Sequence, residues 1–298
     1  MKFFLNEVVL KPVTITRIKP ANYIHDAAFD PVVTALVTTL HAKGHETLVS
    51  LNKFSDKGLN IVIGAHLLED PGVLLERDNA VVYNFEQFDT SSGWFTNNYV
   101  SLLKAKPYWD YSTVNIAAMK KAHPEAKATH VPFAYAPVLD YSYVRRDVFR
   151  VKPKDIDVLF FGSMNDRRAK VIDELKHMGL NVQAVFGVYD QELSVLIHRA
   201  KVVLNMHYYD SSVFEAVRVI PLLASRIAVV SEKSVDDDNY KYLDQTAGVL
   251  VTEYHKLAFV CKQLVYNADD RECLSNTGYA NVKLRTMAQS LESVGDVL

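Results

Sequence analysis

The chain has 298 residues, a formal net charge of −2 and a pI of about 6.6. This length suits two domains better than one. The nearly even charge excludes recruitment to nucleic acid or to an anionic membrane by a global field, although a local basic groove would still serve a DNA substrate.

The cysteine content and the apolar runs bear on the cellular compartment. Cys261 and Cys273 lie in a segment with a helical pattern, and we expect ordinary thiols in a reducing compartment there, not a disulfide. Residues 1–7 are interrupted by polar side chains too early for a signal-peptide core. No uncharged apolar run approaches the roughly 20 residues that cross a bilayer. We therefore expect a cytoplasmic protein without a transmembrane segment.

The N-terminal half alternates strand and helix patterns. Asp30 and Pro31 open a predicted helix that ends at Gly44, in the favoured order for helix starts and stops. A second helix is predicted from Ser112 to Lys121. The predicted strands are the short apolar runs at 3–10, 47–51, 59–63, 80–83 and 128–131.

The C-terminal half is more regular. The predicted strands lie at 157–161, 182–186, 202–206 and 227–230. Asn165, Asp190 and Ser212 are the predicted caps of three intervening helices, and further helices follow from about residue 255. This alternation indicates right-handed crossovers and parallel sheets. With a charged join near residues 145–154, we predict an α/β fold of two Rossmann-like domains, 1–150 and 151–298, that face each other across a cleft.

Small, polar and cationic residues follow the predicted strand at 157–161. A turn at Gly162 and Ser163 would point backbone N–H groups at an anion, although a tight turn and a helix cap also explain these residues. Arg167 and Arg168 would lie in the first helical turn, where cations oppose the helix dipole. Two arginines in this position favour a phosphate partner.

The segment 202–218 repeats this arrangement. Ser212 and Glu215 have the spacing of a capping box. Alternatively, the Glu215 carboxylate accepts hydrogen bonds from a ribose diol, which requires it to point elsewhere. His207 and Tyr209 belong to a bulky polar loop at the strand end, where α/β sheets bind ligands.

Together these motifs resemble those of GT-B glycosyltransferases. The Phe-Gly-Ser-x-Asn-x-Arg-Arg opening occupies 161–168, and the Asn-x-His-Tyr-Tyr and Phe-Glu-x-x-Arg elements lie within 205–218. In the first half, the Tyr-Asn-x-Glu-Gln and Trp-Asp-Tyr-Ser pieces occupy 83–87 and 109–112. The resemblance covers about residues 80 to 250.

The resemblance implies that the C-terminal domain binds a nucleotide diphosphate sugar and the N-terminal domain an acceptor, without an obligatory metal or other cofactor. Glu215 would bind the ribose. The residues expected around the rest of the donor are Gly162, Ser163, Arg167, Arg168, His207, Tyr209, Ser211 and Ser212. Many retaining relatives carry a second glutamate eight residues after the first, a position that Leu223 occupies here.

We therefore expect a metal-independent glycosyltransferase that transfers a sugar to a hydroxyl. If the reaction inverts, a base in the N-terminal half must deprotonate the acceptor; Glu86 is the first candidate and Asp110 the second, although Asp110 or Ser112 would also serve as a helix cap. The expected acceptor-side residues are His25, His66, Gln87, Tyr111 and Ser112.

The acceptor and two other functions stay open at this point. A surface or lipid-linked glycan is one acceptor, and a modified base in phage DNA is another. DNA would require a positive groove, to which Lys104, Lys106, Lys120 and Lys121 would contribute. The alternatives to transfer are a non-catalytic nucleotide-sugar-binding protein of the same fold and a nucleotide-sugar epimerase. The sequence does not indicate an oligomeric state.

Overall fold

The protein is described by a computed structural model that covers residues 10–89, 92–140, 154–209, 211–235, 240–243 and 248–298. Within these residues, each half of the chain contains one sheet whose strand pairs are all parallel. The predicted α/β fold with two parallel sheets is confirmed.

The N-terminal sheet has the strand order β2-β1-β3-β4-β5-β6. Its strands are β1 (Val13–Arg17), β2 (Thr47–Leu51), β3 (Leu59–Ile63), β4 (Ala80–Asn84), β5 (Tyr108–Asp110) and β6 (Ala128–His130). The helices around it are α1 (Asp30–Ala42), α2 (Gly72–Leu75), α3 (Asn97–Ala105) and α4 (Thr113–Ala122). The chain runs from β1 out to β2 and returns to β3 on the other side, so the order reverses between β1 and β3.

The predicted elements of this half are mostly confirmed. Strands β3 and β4 are buried along their whole length, as expected for apolar strands covered on both faces. Helix α1 ends at Ala42, and Gly44 follows with a φ of +95°. Ser112 caps α4 by accepting from the N–H groups of two residues in its first turn. The strand predicted at 3–10 falls almost wholly outside the described residues, and β1 was not predicted.

The C-terminal sheet has the order β11-β10-β9-β7-β8, which reverses between β7 and β9. Its strands are β7 (Ile156–Phe161), β8 (Val182–Val185), β9 (Ala200–Asn205), β10 (Val229–Glu232) and β11 (Val249–Thr252). The helices are α5 (Asp166–His177), α6 (Asp190–Arg199), α7 (Ala216–Ala224), α8 (Leu257–Tyr266), α9 (Ala268–Val282) and α10 (Met287–Ser290).

Of the three helix caps predicted in this half, one is confirmed. The Asn165 side chain accepts from the N–H of Arg168 and caps α5. Helix α6 begins at Asp190 itself, and α7 begins at Ala216 with Glu215 in the cap position and no side-chain cap. The predicted caps at Asp190 and Ser212 are therefore wrong, because each helix begins at a different residue from the one the spacing implied.

The end of the chain returns to the N-terminal domain. The N–H of Met287 donates to the carbonyl of Tyr135 at 2.7 Å, and the N–H of Tyr135 donates to the carbonyl of Arg285 at 3.1 Å. Helix α10 packs against α1, and the Ser293 hydroxyl contacts the carbonyl of His130 at 3.4 Å. The last residues of the predicted 151–298 domain thus pack on the N-terminal sheet. Among the described residues, no helix is long and apolar enough to cross a membrane.

Candidate active site

One cavity of about 940 Å³ lies between the two domains. The loops that follow β1, β3 and β4 line it from one side, and those that follow β7, β8 and β9 line it from the other. Both points of strand-order reversal therefore open into this cleft, which is where doubly wound folds bind ligands. The predicted site residues that line it are His25, His66, Glu86, Gln87, Tyr111, Gly162, Ser163, Arg168, Tyr209 and Glu215.

Glu86 projects into the cleft just after β4. Its side chain is only 19% exposed, and Nε2 of His66 lies 3.5 Å from its Oε1. Burial raises the pKa of the Glu86 carboxyl to about 7 and lowers the pKa of His66 to about 4. Near neutral pH, His66 is therefore uncharged, and Glu86 interconverts readily between acid and base. A general base works best with a pKa near the operating pH.

A buried amide network fixes the backbone of Glu86. The side-chain amides of Asn84 and Asn115 both donate to the Glu86 carbonyl at 2.9 Å, and the Glu86 N–H donates to Oδ1 of Asn84 at 3.0 Å. The Tyr99 hydroxyl also donates to Oδ1 of Asn84, at 2.8 Å. The loop that carries the carboxylate is thus held rigidly at the end of β4.

Asp110 belongs to this network and not to the cleft, which corrects its prediction as a base. It is 1% exposed, and it accepts from the side-chain amides of Asn84 at 2.7 Å and Asn115 at 3.1 Å. It also accepts from the N–H of Ser112 at 2.9 Å. Asp110 therefore positions Glu86 through the two asparagines. Ser112 is fully buried as the cap of α4, so the structure does not place it on the acceptor side of the cleft either.

The other predicted acceptor-side residues line the cleft, and two of them contact the opposite domain. Nδ1 of His25 lies 2.7 Å from the hydroxyl of Tyr189, and its ring stacks on Phe186 at 4.6 Å. Oε1 of Gln87 accepts from the hydroxyl of Ser211 at 2.8 Å. Tyr111 stacks on a neighbouring phenylalanine and is 3% exposed. His25 and Gln87 therefore join the domains as well as lining the space between them.

On the opposite wall, two guanidinium groups meet at Gly162. A Cβ atom at this glycine would lie 2.9 Å from Nη2 of Arg218 and 3.5 Å from Nη1 of Arg168, and its φ is +142°. The Glu215 carboxylate bridges the pair, since it contacts Nη2 of Arg168 at 3.3 Å and forms an ion pair with Arg218. Glu215 therefore points towards the arginines and does not cap its own helix, which corrects the capping-box alternative.

Arg168 is held in place by main-chain oxygens. It is 2% exposed, and its guanidinium donates to the carbonyls of Ser163 at 2.8 Å and His207 at 3.3 Å, and to that of Met206. Burial lowers the pKa of Arg168 to about 10, so it stays protonated at neutral pH. The result is a fixed positive charge beside the Gly162–Ser163 turn.

Arg167 and His207 do not line the cavity, which differs from their predicted place at the donor. Arg167 forms an ion pair with Glu232 and lies over the ring of Tyr254 at 4.0 Å. The N–H of His207 donates to the same glutamate at 3.1 Å, and its Nε2 lies 3.2 Å from the carbonyl of Lys233. Arg167 and Glu232 thus hold the loop after β9, to which His207 belongs.

Two further serines predicted at the diphosphate, Ser211 and Ser212, lie next to the domain junction. The N–H of Ser211 donates to Oδ2 of Asp89 at 3.2 Å, and Ser212 has a φ of +46°. Neither serine lines the cavity. Tyr209 does line it, and its hydroxyl accepts from Ser92 at 3.4 Å.

Solved structures identify the architecture. The structure of Anabaena HepE in complex with UDP and glucose matches with a TM-score of 0.64 at 11% identity, covering 96% of this chain and 100% of that one. WaaG, a glycosyltransferase of lipopolysaccharide biosynthesis, matches with a TM-score of 0.57 at 12% identity, and T4 phage β-glucosyltransferase with 0.55 at 14%; each covers 96% of this chain and 99% of the other. The chain has the GT-B fold. The resemblance noted in the sequence is confirmed at the level of fold.

Sequence relatives of this GT-B chain are viral. The uncharacterized protein L140 of Acanthamoeba polyphaga mimivirus is 31% identical over 169 residues, which is 55% of this chain and 53% of L140. Protein L138 of the same virus is 37% identical over 97 residues, or 32% of this chain and 11% of L138. The chain therefore matches about half the length of the first relative and a small part of the second. No family model matches the sequence.

Three cleft residues of this GT-B chain were missed from the sequence. Tyr23 and Trp94 lie in loops without periodicity, and Arg218 was noted only as the last residue of a motif. The closeness of Arg218 to Gly162 depends on a contact distant in sequence, in which the Arg218 guanidinium lies over the ring of Phe161 at 5.4 Å, and no local pattern reveals it. Among the described residues, no group of three or more His, Cys, Asp or Glu side chains has the arrangement of a metal site. Metal independence stays a prediction.

Proposed function

We propose that the protein transfers a glycosyl unit from a nucleotide diphosphate sugar to a hydroxyl acceptor, by direct displacement and without a metal ion. One observation carries the proposal: the Arg168–Glu215–Arg218 cluster at Gly162 and the Glu86 carboxyl line the same interdomain cavity. A site for a diphosphate leaving group thus faces a base with a pKa near 7.

The C-terminal wall supplies what the donor requires. The Gly162–Ser163 turn, the two arginines and the N-terminus of α7 provide N–H groups and positive charge for a diphosphate. Charge that develops on the leaving group is stabilised by such preorganised groups without reorganisation. Glu215, fixed by both guanidinium groups, offers its remaining lone pairs to the hydroxyls of a ribose.

The N-terminal wall supplies the base. In its ionised form, Glu86 takes the proton of the acceptor hydroxyl while that oxygen attacks the anomeric carbon. The bond from this carbon to the diphosphate oxygen breaks, and the nucleoside diphosphate leaves with the electron pair. Leu223 is fully buried in α7, so the position of the second glutamate of retaining relatives offers the donor no carboxylate. A single displacement with inversion is therefore the mechanism we propose.

The direct test is incubation with each common nucleotide sugar, followed by chromatography of the nucleotide and NMR of the sugar. Release of nucleoside diphosphate, in wild type and in the presence of EDTA, supports the metal-independent transferase. If release of nucleoside diphosphate requires an added divalent ion, the reaction is not metal-independent. Binding without release would identify an inert nucleotide-sugar binder, and a changed sugar still attached to its nucleotide would identify an epimerase.

A further inference from the structure

We infer that the acceptor is an uncharged saccharide and that it packs on an aromatic shelf beside Glu86, formed by Tyr23 and Trp94 and supported by the buried ring of His66. This inference rests on the proposed glycosyl transfer and specifies its acceptor. It excludes DNA and other polyanions as the main substrate.

The aromatic shelf surrounds the base. The Trp94 ring meets His66 edge to face at 5.2 Å and Tyr23 at 6.4 Å, while His66 touches the Glu86 carboxylate. The main-chain N–H of Trp94 also donates to the hydroxyl of Ser92 at 3.2 Å. The three rings therefore have fixed orientations next to the atom that would receive the proton.

Such a shelf suits the mixed surface of a sugar. A pyranose ring presents C–H groups on its faces and hydroxyls around its rim. The faces pack on aromatic rings, and a few well-placed polar groups then select the orientation. With its ring against Trp94 or Tyr23, a saccharide would direct a rim hydroxyl towards Glu86.

The charge of the acceptor side argues against an anion. Among the described residues that line the cavity from the N-terminal domain, there is no lysine or arginine, whereas Glu86 and Asp30 are both present, the latter as the ion-pair partner of Arg17. Asp190 lines the cavity from the opposite domain, near Asp30. The cavity-lining arginines, Arg168 and Arg218, lie at Gly162 on the opposite wall, where the donor diphosphate is proposed to bind. An acceptor phosphate would therefore meet carboxylates and, in the ternary complex, the donor diphosphate.

The lysines considered for a DNA groove lie elsewhere. Nζ of Lys104 pairs with Glu125 at 3.1 Å. Nζ of Lys106 donates to the carbonyl of Leu74 at 2.9 Å and to another carbonyl nearby. Lys120 and Lys121 are exposed at the end of α4 and do not line the interdomain cavity. None of the four brings positive charge to Glu86.

The experiment compares matched acceptors. In each assay, the donor is the nucleotide sugar that the protein is found to hydrolyse. A panel of neutral p-nitrophenyl glycosides is assayed for transfer, and each accepted glycoside is then compared with its 6-phosphate and with duplex DNA containing 5-hydroxymethylcytosine. We expect kcat/KM for the phosphorylated glycoside to be about tenfold or more below that for the neutral one, because nearby carboxylates repel the roughly −1.5 to −2 charge of the added phosphate. We expect no transfer to DNA at 20 or 150 mM salt.

Two variants test the shelf itself. Trp94→Ala should raise the KM for the neutral acceptor at least tenfold and the KM for the donor much less. Ala28→Lys places a cation at an exposed position on the cavity wall, so it should raise the ratio of phosphorylated to neutral acceptor use about tenfold. Ala42→Lys, the same change at the exposed far end of α1, is the control and should leave that ratio unchanged.

The outcomes separate the two proposals. Equal use of charged and neutral acceptors, preferred transfer to DNA, or donor hydrolysis with no neutral glycoside accepted would overturn the inference and leave glycosyl-donor chemistry intact. An unchanged acceptor ratio in Ala28→Lys would also overturn it. Failure to release nucleoside diphosphate from any nucleotide sugar would instead remove the proposed function.

Discussion

The substitution Glu86→Gln separates catalysis from stability at one position. Burial raises the pKa of the carboxyl from 4.5 to about 7. A shift of this size means that the free energy of unfolding is about 3 kcal/mol lower with the carboxyl ionised than with it protonated, or about 2 kcal/mol lower after allowance for the partial exposure of the side chain. Because the pKa is higher in the folded protein than in the unfolded chain, the wild type has its full free energy of unfolding below pH 4.5 and loses this amount as the pH rises through 7. Glutamine stays neutral, so the variant should match wild type near pH 4.5 and exceed its free energy of unfolding by about 2 to 3 kcal/mol at pH 8.

Catalysis should change in the opposite direction. Without a base, we expect transfer to fall about 100-fold or more, while wild-type kcat/KM should rise with pH through about 7 as the carboxyl ionises. Urea unfolding at several pH values and initial-rate assays provide both measurements. Glu69→Gln, the same change at an exposed glutamate, is the control. Parallel unfolding curves for wild type and Glu86→Gln across this pH range would refute the burial argument, and retained turnover would refute the base.

Three further substitutions test the rest of the site. Asp110→Asn should lower kcat about tenfold with little change in donor KM and destabilise the fold by about 2 kcal/mol, because the new NH2 group replaces one of the two oxygens that accept from Asn84 and Asn115 and leaves a buried donor without its acceptor; a changed donor KM would contradict a role limited to Glu86. Glu215→Ala should weaken nucleoside diphosphate binding about tenfold in calorimetry, since the arginines lose the carboxylate that orients them; unaltered affinity would argue against it. Gly162→Ala should weaken the same binding at least tenfold because its φ of +142° and the nearby guanidinium disfavour a side chain, and a wild-type thermal shift with UDP would contradict this expectation.

The sequence predicted the architecture well because the strand and helix periods are local. The strands that became β7 and β9 were placed within two residues of their observed bounds, and the polar residues after them were placed correctly at the sheet edge. The rule that parallel strands present their carboxyl ends at one edge then brought Gly162, Glu215 and Glu86 to the cleft.

The errors arose where long-range contacts outweighed local spacing. The pattern from Ser212 to Glu215 matched a capping box, but a charge-assisted contact to Arg168 is stronger than a neutral cap, and the carboxylate follows the arginine. The position of Asp110 at a strand end suggested a base, but in the fold two asparagine amides donate to its carboxylate oxygens. A single sequence gives no indication of which polar side chain will be covered by another.

The return of the chain end to the N-terminal domain constrains how the cleft opens. Tyr135 is hydrogen-bonded to residues on both sides of Thr286, and the hydroxyl of Ser293 contacts the carbonyl of His130 at 3.4 Å. Any separation of the two domains therefore has to break these contacts or move residues 285–293 together with the N-terminal domain. The contacts of the chain end thus favour the arrangement of the domains in which Glu86 and Gly162 line one cavity.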